Sequence, residues 1–82
     1  MRFNKAILTL GAEQRRGKFD VHSNGSNEIN ISDPKTCTTV VRIDRPHVDF
    51  HGEDAVQIEG FGKVGGQFVK VNFYGEEPAA AS

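Results

Sequence analysis

The chain has 82 residues, with ten Lys/Arg against eleven Asp/Glu, a net charge of −1 and 37% hydrophobic residues. That length holds one domain, and the near-neutral charge gives no electrostatic drive toward nucleic acid. A single cysteine, Cys37, excludes an internal disulfide, and no apolar run approaches the length of a membrane span.

A small core without a disulfide leans on a metal, a partner or a second copy of itself. The lone thiol fits a reducing, cytoplasmic setting better than secretion. The charge is mildly uneven, since residues 1–41 carry six Lys/Arg and four Asp/Glu while residues 42–82 carry four and seven. Residues 1–12 mimic a short signal peptide. Thr9 and Gly11 interrupt the apolar part, which reads instead as the first strand.

In chain order, residues 3–10 carry apolar side chains on both faces, Phe3 and Ile7 on one and Ala6, Leu8 and Leu10 on the other, as in a strand covered twice. Gly11 ends it, and residues 12–17 read as a basic loop holding Arg15 and Arg16. Residues 18–23 alternate with Phe19 and Val21 on one face, and residues 27–32 follow with Ile29 and Ile31. A two-residue turn at Asn24-Gly25 would set Val21 against Glu28. An odd loop at Asn24-Gly25-Ser26 sets Val21 against Ile29 and Phe19 against Ile31, and burial favours it.

Asp33-Pro34-Lys35 reads as a turn. Residues 36–43 form a β-branched strand with Cys37, Thr39, Val41 and Ile43 on one side, ended by Arg45-Pro46. Residues 47–51 make a short strand with Val48 and Phe50 inward. Residues 54–75 give the clearest signal, two alternating arms around Gly65-Gly66 in which Val64 faces Gln67, Phe61 faces Lys70 and Ile58 faces Phe73. Residues 76–82 have nothing to bury and read as a flexible C-terminal tail.

The sum is an all-β domain over residues 1–75, a small antiparallel barrel (OB-like or SH3-like) or a short sandwich of about seven strands. Its expected core is Leu8, Phe19, Val21, Ile29, Ile31, Val41, Ile43, Val48, Phe50, Val56, Ile58, Val69, Val71 and Phe73. Phe3, Ile7, Phe61, Phe68 and Tyr74 fall on the opposite faces.

The spacing His47-Val48-Asp49-Phe50-His51 looks ligand-like. On a strand, four residues span about 13 Å, whereas zinc holds each ligand at about 2 Å, so the two histidines do not share an ion. No metal and no cofactor is expected. A small enzyme using Cys37 or the His47/Asp49/His51 segment is the third reading, because nothing sets nucleophile, base and orienter together. Cys37 in a Thr/Val-rich strand reads as a small buried hydrophobe.

The polar face of the hairpin interleaves Phe61, Phe68 and Tyr74 with Lys63 and Lys70, the combination with which single-strand binders stack bases and hold phosphates. Residues 59–66 meet the RNP1 pattern of RNA-binding domains at Gly60, Phe61, Gly62 and Val64. They depart from it at Glu59, Lys63 and Gly66, so that family is not assigned. Arg15 and Arg16 could touch phosphate, although a solvated basic turn is the commoner meaning. The leading expectation is a non-catalytic, self-associating interaction module that presents the aromatic-bearing sheet face to a macromolecule. A single-stranded nucleic-acid-binding barrel is the alternative. A homodimer or higher symmetric oligomer would cover Phe61 and Phe68.

Overall fold

The computed structural model describes residues 1–23, 25 and 27–78. Six antiparallel strands follow one another in chain order: β1 (Arg2–Leu10), β2 (Glu13–Ser23), β3 (Glu28–Asp33), β4 (Thr38–Phe50), β5 (Ala55–Val64) and β6 (Gln67–Pro78). The last closes on the first, so the chain is a small barrel rather than a sandwich. The order is up-and-down, without the Greek-key crossing of an OB-fold. Among the described residues no helix is long and apolar enough to cross a membrane.

There are six strands and not seven because residues 36–43 and 47–51 belong largely to one strand. Arg45-Pro46 does not break β4. Between the pairs Asp44–Phe61 and His47–Glu59, the two residues Arg45 and Pro46 face Gly60 alone. This is a β-bulge: Arg45 takes a φ of 53° and gives its N–H to the Asn27 carbonyl at 2.9 Å. Proline, which has no N–H to give, is tolerated at such a site. The extra residue reverses the alternation, so the inward series passes from Val41 and Ile43 to Val48.

A second bulge bends β1. Its pairing with β2 shifts between Phe3–Phe19 and Ala6–Gly17. Phe3, expected on the outer face, is therefore turned into the core and is 2% exposed. Its ring meets Phe73 edge-on at 5.6 Å, and Phe73 meets Phe19 at 6.2 Å. Such edge-to-face geometry suits the ring quadrupoles. Phe73, Leu8, Ile31, Ile43, Ile58, Val41 and Val71 fill the centre of the barrel, fully buried. Val21, Val48 and Val69 pack against this core half-buried.

The β5–β6 hairpin keeps its expected register, with Val64 opposite Gln67, Phe61 opposite Lys70 and Ile58 opposite Phe73. Gly65 and Gly66 take φ of 58° and 85°, the doubly positive pair that a two-residue primed turn demands. The β2–β3 hairpin is shifted by two residues: Val21 lies opposite Ile31, and Ser23 opposite Ile29. A shift of two leaves every side chain on its face, so burial could not distinguish the two registers. Asn24 and Ser26, on which the odd loop was expected, lie outside the described residues.

Three further expectations are corrected. Residues 12–17 are not a loop, because β2 starts at Glu13 directly after Gly11-Ala12. Cys37 is not in a strand facing the core. It is exposed in the turn after Asp33, with a φ of 56° and its N–H on the Asp33 carbonyl at 2.8 Å. Residues 76–78 are not a tail: Glu76 pairs with Lys5 and Pro78 with Phe3, so β6 zips the barrel shut along the start of β1. Residues 79–82 lie outside the described residues.

The shortness of β3 shapes the rest. It pairs with residues 20–23 of β2 and 38–44 of β4. The first half of β2 and the last residues of β4 therefore run past it without a β3 neighbour. Phe50 ends that overhanging part of β4 and is 77% exposed, against the expectation that it is core.

Candidate functional site

Gly60 and Gly62 stand at inward positions of β5, in step with Val56 and Ile58. A Cβ on Gly60 would lie 2.5 Å from Ile43 Cγ2, and one on Gly62 would lie 2.5 Å from Val41 Cγ2. The two glycines make room inside the barrel, and Phe61 between them is left outside. The Gly-Phe-Gly resemblance to RNP1 is thus a consequence of packing.

On the outer face, Phe61 stands opposite Lys70 and Lys63 opposite Phe68. The two phenylalanines are diagonal neighbours, a spacing of about 7–8 Å that aromatic side chains can reach across. They are 63% and 72% exposed. The Lys63 ammonium lies 5.9 Å from the centre of the Phe68 ring, within range of a cation–π attraction. Beside them is a hollow of about 510 Å³, with Val40, Arg42 and Asp44 of β4 facing Phe61, Lys63 and Phe68. The Arg42 guanidinium is held by Glu28 at 3.3 Å and by Asn30 Oδ1 at 3.0 Å. Sequence reasoning missed Val40, Arg42 and Asp44. Their alternation was visible, but that β4 lies alongside this part of β5 depends on a register reset by the bulge.

Tyr74 is on the same face of β6 but six residues from Phe68, about 20 Å along the strand. It joins a different group. Its ring lies 6.0 Å from that of His51, and Gln57 and Ile7 are its cross-strand partners. His51 Nε2 is 3.1 Å from Gln57 Oε1, and the Gln57 amide donates to Glu59 at 3.1 Å and to Asn72 at 3.4 Å. A hydrogen bond to Glu76 raises the Tyr74 phenol above its usual pKa, with desolvation adding to it.

Ile7 has Tyr74 on one side and Arg16 on the other. Arg16 donates to Gln14 Oε1 at 3.2 Å through Nη2, and Arg15 pairs with Glu13 at 3.3 Å. The seven expected binding residues therefore divide. Phe61, Lys63, Phe68 and Lys70 form one face, while Tyr74, Arg15 and Arg16 belong to the region around β1.

The residues considered for catalysis are engaged separately. The Cys37 thiol lies 3.8 Å from the Pro34 carbonyl, His47 lies 3.2 Å from Asp49, and His51 is on Gln57. Among the described residues no three His, Cys, Asp or Glu side chains are grouped as a metal ion would require. Comparison of the chain with protein-family models, with curated proteins and with solved structures returns no match.

Proposed function

We propose that this protein is a non-catalytic interaction module that associates with a second copy of itself through the outer face of β5 and β6. The supporting observation is the diagonal pair Phe61 and Phe68, 63% and 72% exposed on the regular part of a hairpin. A soluble domain gains by covering such a pair. The face is also self-complementary, because the projecting rings stand beside the hollow over Val40. A two-fold axis brings each ring of one copy to the hollow of the other, the isologous geometry of most dimers. Lys63, Lys70 and the Arg42–Glu28 pair then form a polar rim. We place the protein in the cytoplasm, where an exposed thiol such as Cys37 stays reduced.

Sedimentation equilibrium tests this. The wild type should weigh as a dimer at tens of micromolar, and Phe68→Ala should move it to monomer with its thermal melt unchanged. A wild-type monomer at that concentration would exclude the proposal.

The second reading is a barrel that stacks single-stranded nucleic acid on this face. It is favoured by the Lys63 ammonium over Phe68 and by Lys70 opposite Phe61, which pair each ring with a cation.

A further inference from the structure

Two hollows meet over the first half of β2. One, of about 320 Å³, is floored by Ala6, Ile7 and Gly17 and walled by Tyr74 and Arg16. The other, of about 520 Å³, lies between Arg15, Lys18 and Phe19 on β2 and Asp33 and Lys35 at the β3–β4 turn. Asn4, Arg16 and Gly17 line both, so the two are one groove. Two features of the strands open it. The bulge in β1 bends the strand at residues 4–5, and β2 has no β3 neighbour over residues 13–19. At Gly17 even an added Cβ would meet nothing within 4 Å.

The charge along the groove departs from that of the chain. Among the described residues, Lys5, Arg15, Arg16, Lys18 and Lys35, five of the chain's ten Lys/Arg, line it, against Asp33 and Glu76. Asp33 accepts the Lys35 amide at 2.9 Å, and Glu76 stands across the strands from Lys5. Lys18 and Lys35 form no ion pair among the described residues.

We propose that this groove binds single-stranded nucleic acid, with phosphates along Arg16, Lys18 and Lys35 and a base against Tyr74 and Ile7. The two ends differ as such a ligand requires. At one end, Lys5 is the cross-strand partner of Glu76, and an aromatic ring stands beside an aliphatic side chain. At the other end the cations dominate. Arg16 and Lys18 alternate onto one side of β2, about 7 Å apart. A groove open along its length, with cations spread along a strand, suits a polymer; a free nucleotide calls for an enclosed pocket whose polar groups converge. The site is separate from the Phe61–Phe68 face and does not rest on it.

The test is fluorescence anisotropy of a labelled oligothymidylate of about 12 nucleotides, a length that spans one small barrel, titrated at several salt concentrations. Binding should appear at low salt and weaken linearly in log–log form. Each lost phosphate contact removes about 0.7 from the slope for a single strand, so the triple variant Arg16→Ala/Lys18→Ala/Lys35→Ala should lower it by about 2. Its affinity at low salt should fall at least tenfold. Tyr74→Leu should weaken binding severalfold at an unchanged slope, as loss of stacking does. Lys35→Ala alone, in an exposed turn, keeps the test open if the triple variant does not fold. Three results would overturn the proposal: no binding at low salt, wild-type affinity in the charge variants, or displacement by free AMP at concentrations matching the strand's nucleotides. Loss on Phe68→Ala with the charge variants unaffected would also refute it, by placing the strand on the other face.

Discussion

Gly60 offers a test of the barrel interior in which even the sign is informative. Its backbone is not in the left-handed region, so alanine is conformationally allowed there. Where a Gly→Ala change meets open space, it stabilises by about 0.4–1 kcal/mol by restricting the unfolded chain. Here the new Cβ would lie 2.5 Å from Ile43 Cγ2, while its next neighbours, Pro46 Cα and the Asp44 carbonyl, stand off at 3.7 and 3.9 Å. The obstacle is one methyl group. Ile43 is 0% exposed and β-branched, so its χ1 is restricted and the methyl cannot swing out into solvent. Overpacking of this kind destabilises by about 1–3 kcal/mol. For a domain this small that is a large share of the total, and each kcal/mol lowers the melting temperature by about 4–8 °C.

Urea melts of Gly60→Ala, Ile43→Leu and the double variant complete the argument. Ile43→Leu conserves volume and removes the branch at Cβ, so alone it should destabilise by less than about 1.5 kcal/mol. In the double variant the clash is relieved. Its destabilisation should fall short of the sum of the single effects by about 1 kcal/mol, the coupling expected of residues in contact. A neutral or stabilising Gly60→Ala would mean that the inward side of β5 is open there, and the close packing of Ile43 on Gly60 would be refuted.

Two pH-dependent predictions follow from hydrogen-bonded pairs. Arg2 donates to Asp20 at 2.7 and 3.3 Å, and that bond holds the Asp20 carboxyl below its usual pKa against an opposing desolvation. A folded pKa lower than the unfolded one gives stability that is present above the unfolded value and lost as pH falls through the folded one. From about pH 5 downward, Asp20→Asn should therefore flatten the acid side of the stability profile, and an unchanged slope there would remove the pair from it. The chain has one tyrosine and no tryptophan, so an ultraviolet titration reads Tyr74 alone. Glu76→Ala should bring its midpoint down toward the ordinary phenol value, and an unmoved midpoint would separate the two groups.

The β5–β6 hairpin was legible because every cue is local: alternation on both arms and two glycines between them. What escaped the sequence depends on strand neighbours. Arg45-Pro46 reads as a break by local rules, and only the Gly60 side of the ladder shows that β5 accepts two residues against one. Phe3 and Ile7 are both odd positions, yet the bulge between Phe3 and Ala6 sends Phe3 inward and leaves Ile7 half-buried. Phe50 alternates correctly with Val48, but it is the last residue of β4 and is left 77% exposed. Cys37 fits a strand by composition, whereas Asp33 draws its amide into a turn. The candidate face was legible for the same reason as the hairpin, and the groove was not. Tyr74 adjoins Ile7 and Arg16 only because β6 returns to β1, a closure that no local pattern encodes.

That closure also decides where a ligand can go. Eight strands enclose a space that side chains just fill, and six enclose less. The consequence is visible at three glycines: an added Cβ would come within 3 Å of Ile43 at Gly60, of Val41 at Gly62, and of Phe3 and Phe73 at Gly75. An interior that cannot admit a methyl group at these positions cannot admit a ligand beside them, which leaves the outside of the sheet as the place to test for one. There the chain's near-neutral total is a poor guide. Charges on a closed barrel are sorted by strand and register, and among the described residues half of the chain's cations line a groove with Asp33 and Glu76. Net charge governs long-range solubility, whereas a ligand in contact responds to the groups within about one Debye length, roughly 10 Å at moderate salt. A nearly neutral domain can therefore carry both an apolar face and a cationic groove. The two are set apart along β6, where Phe68 and Tyr74 stand six residues, about 20 Å, from each other.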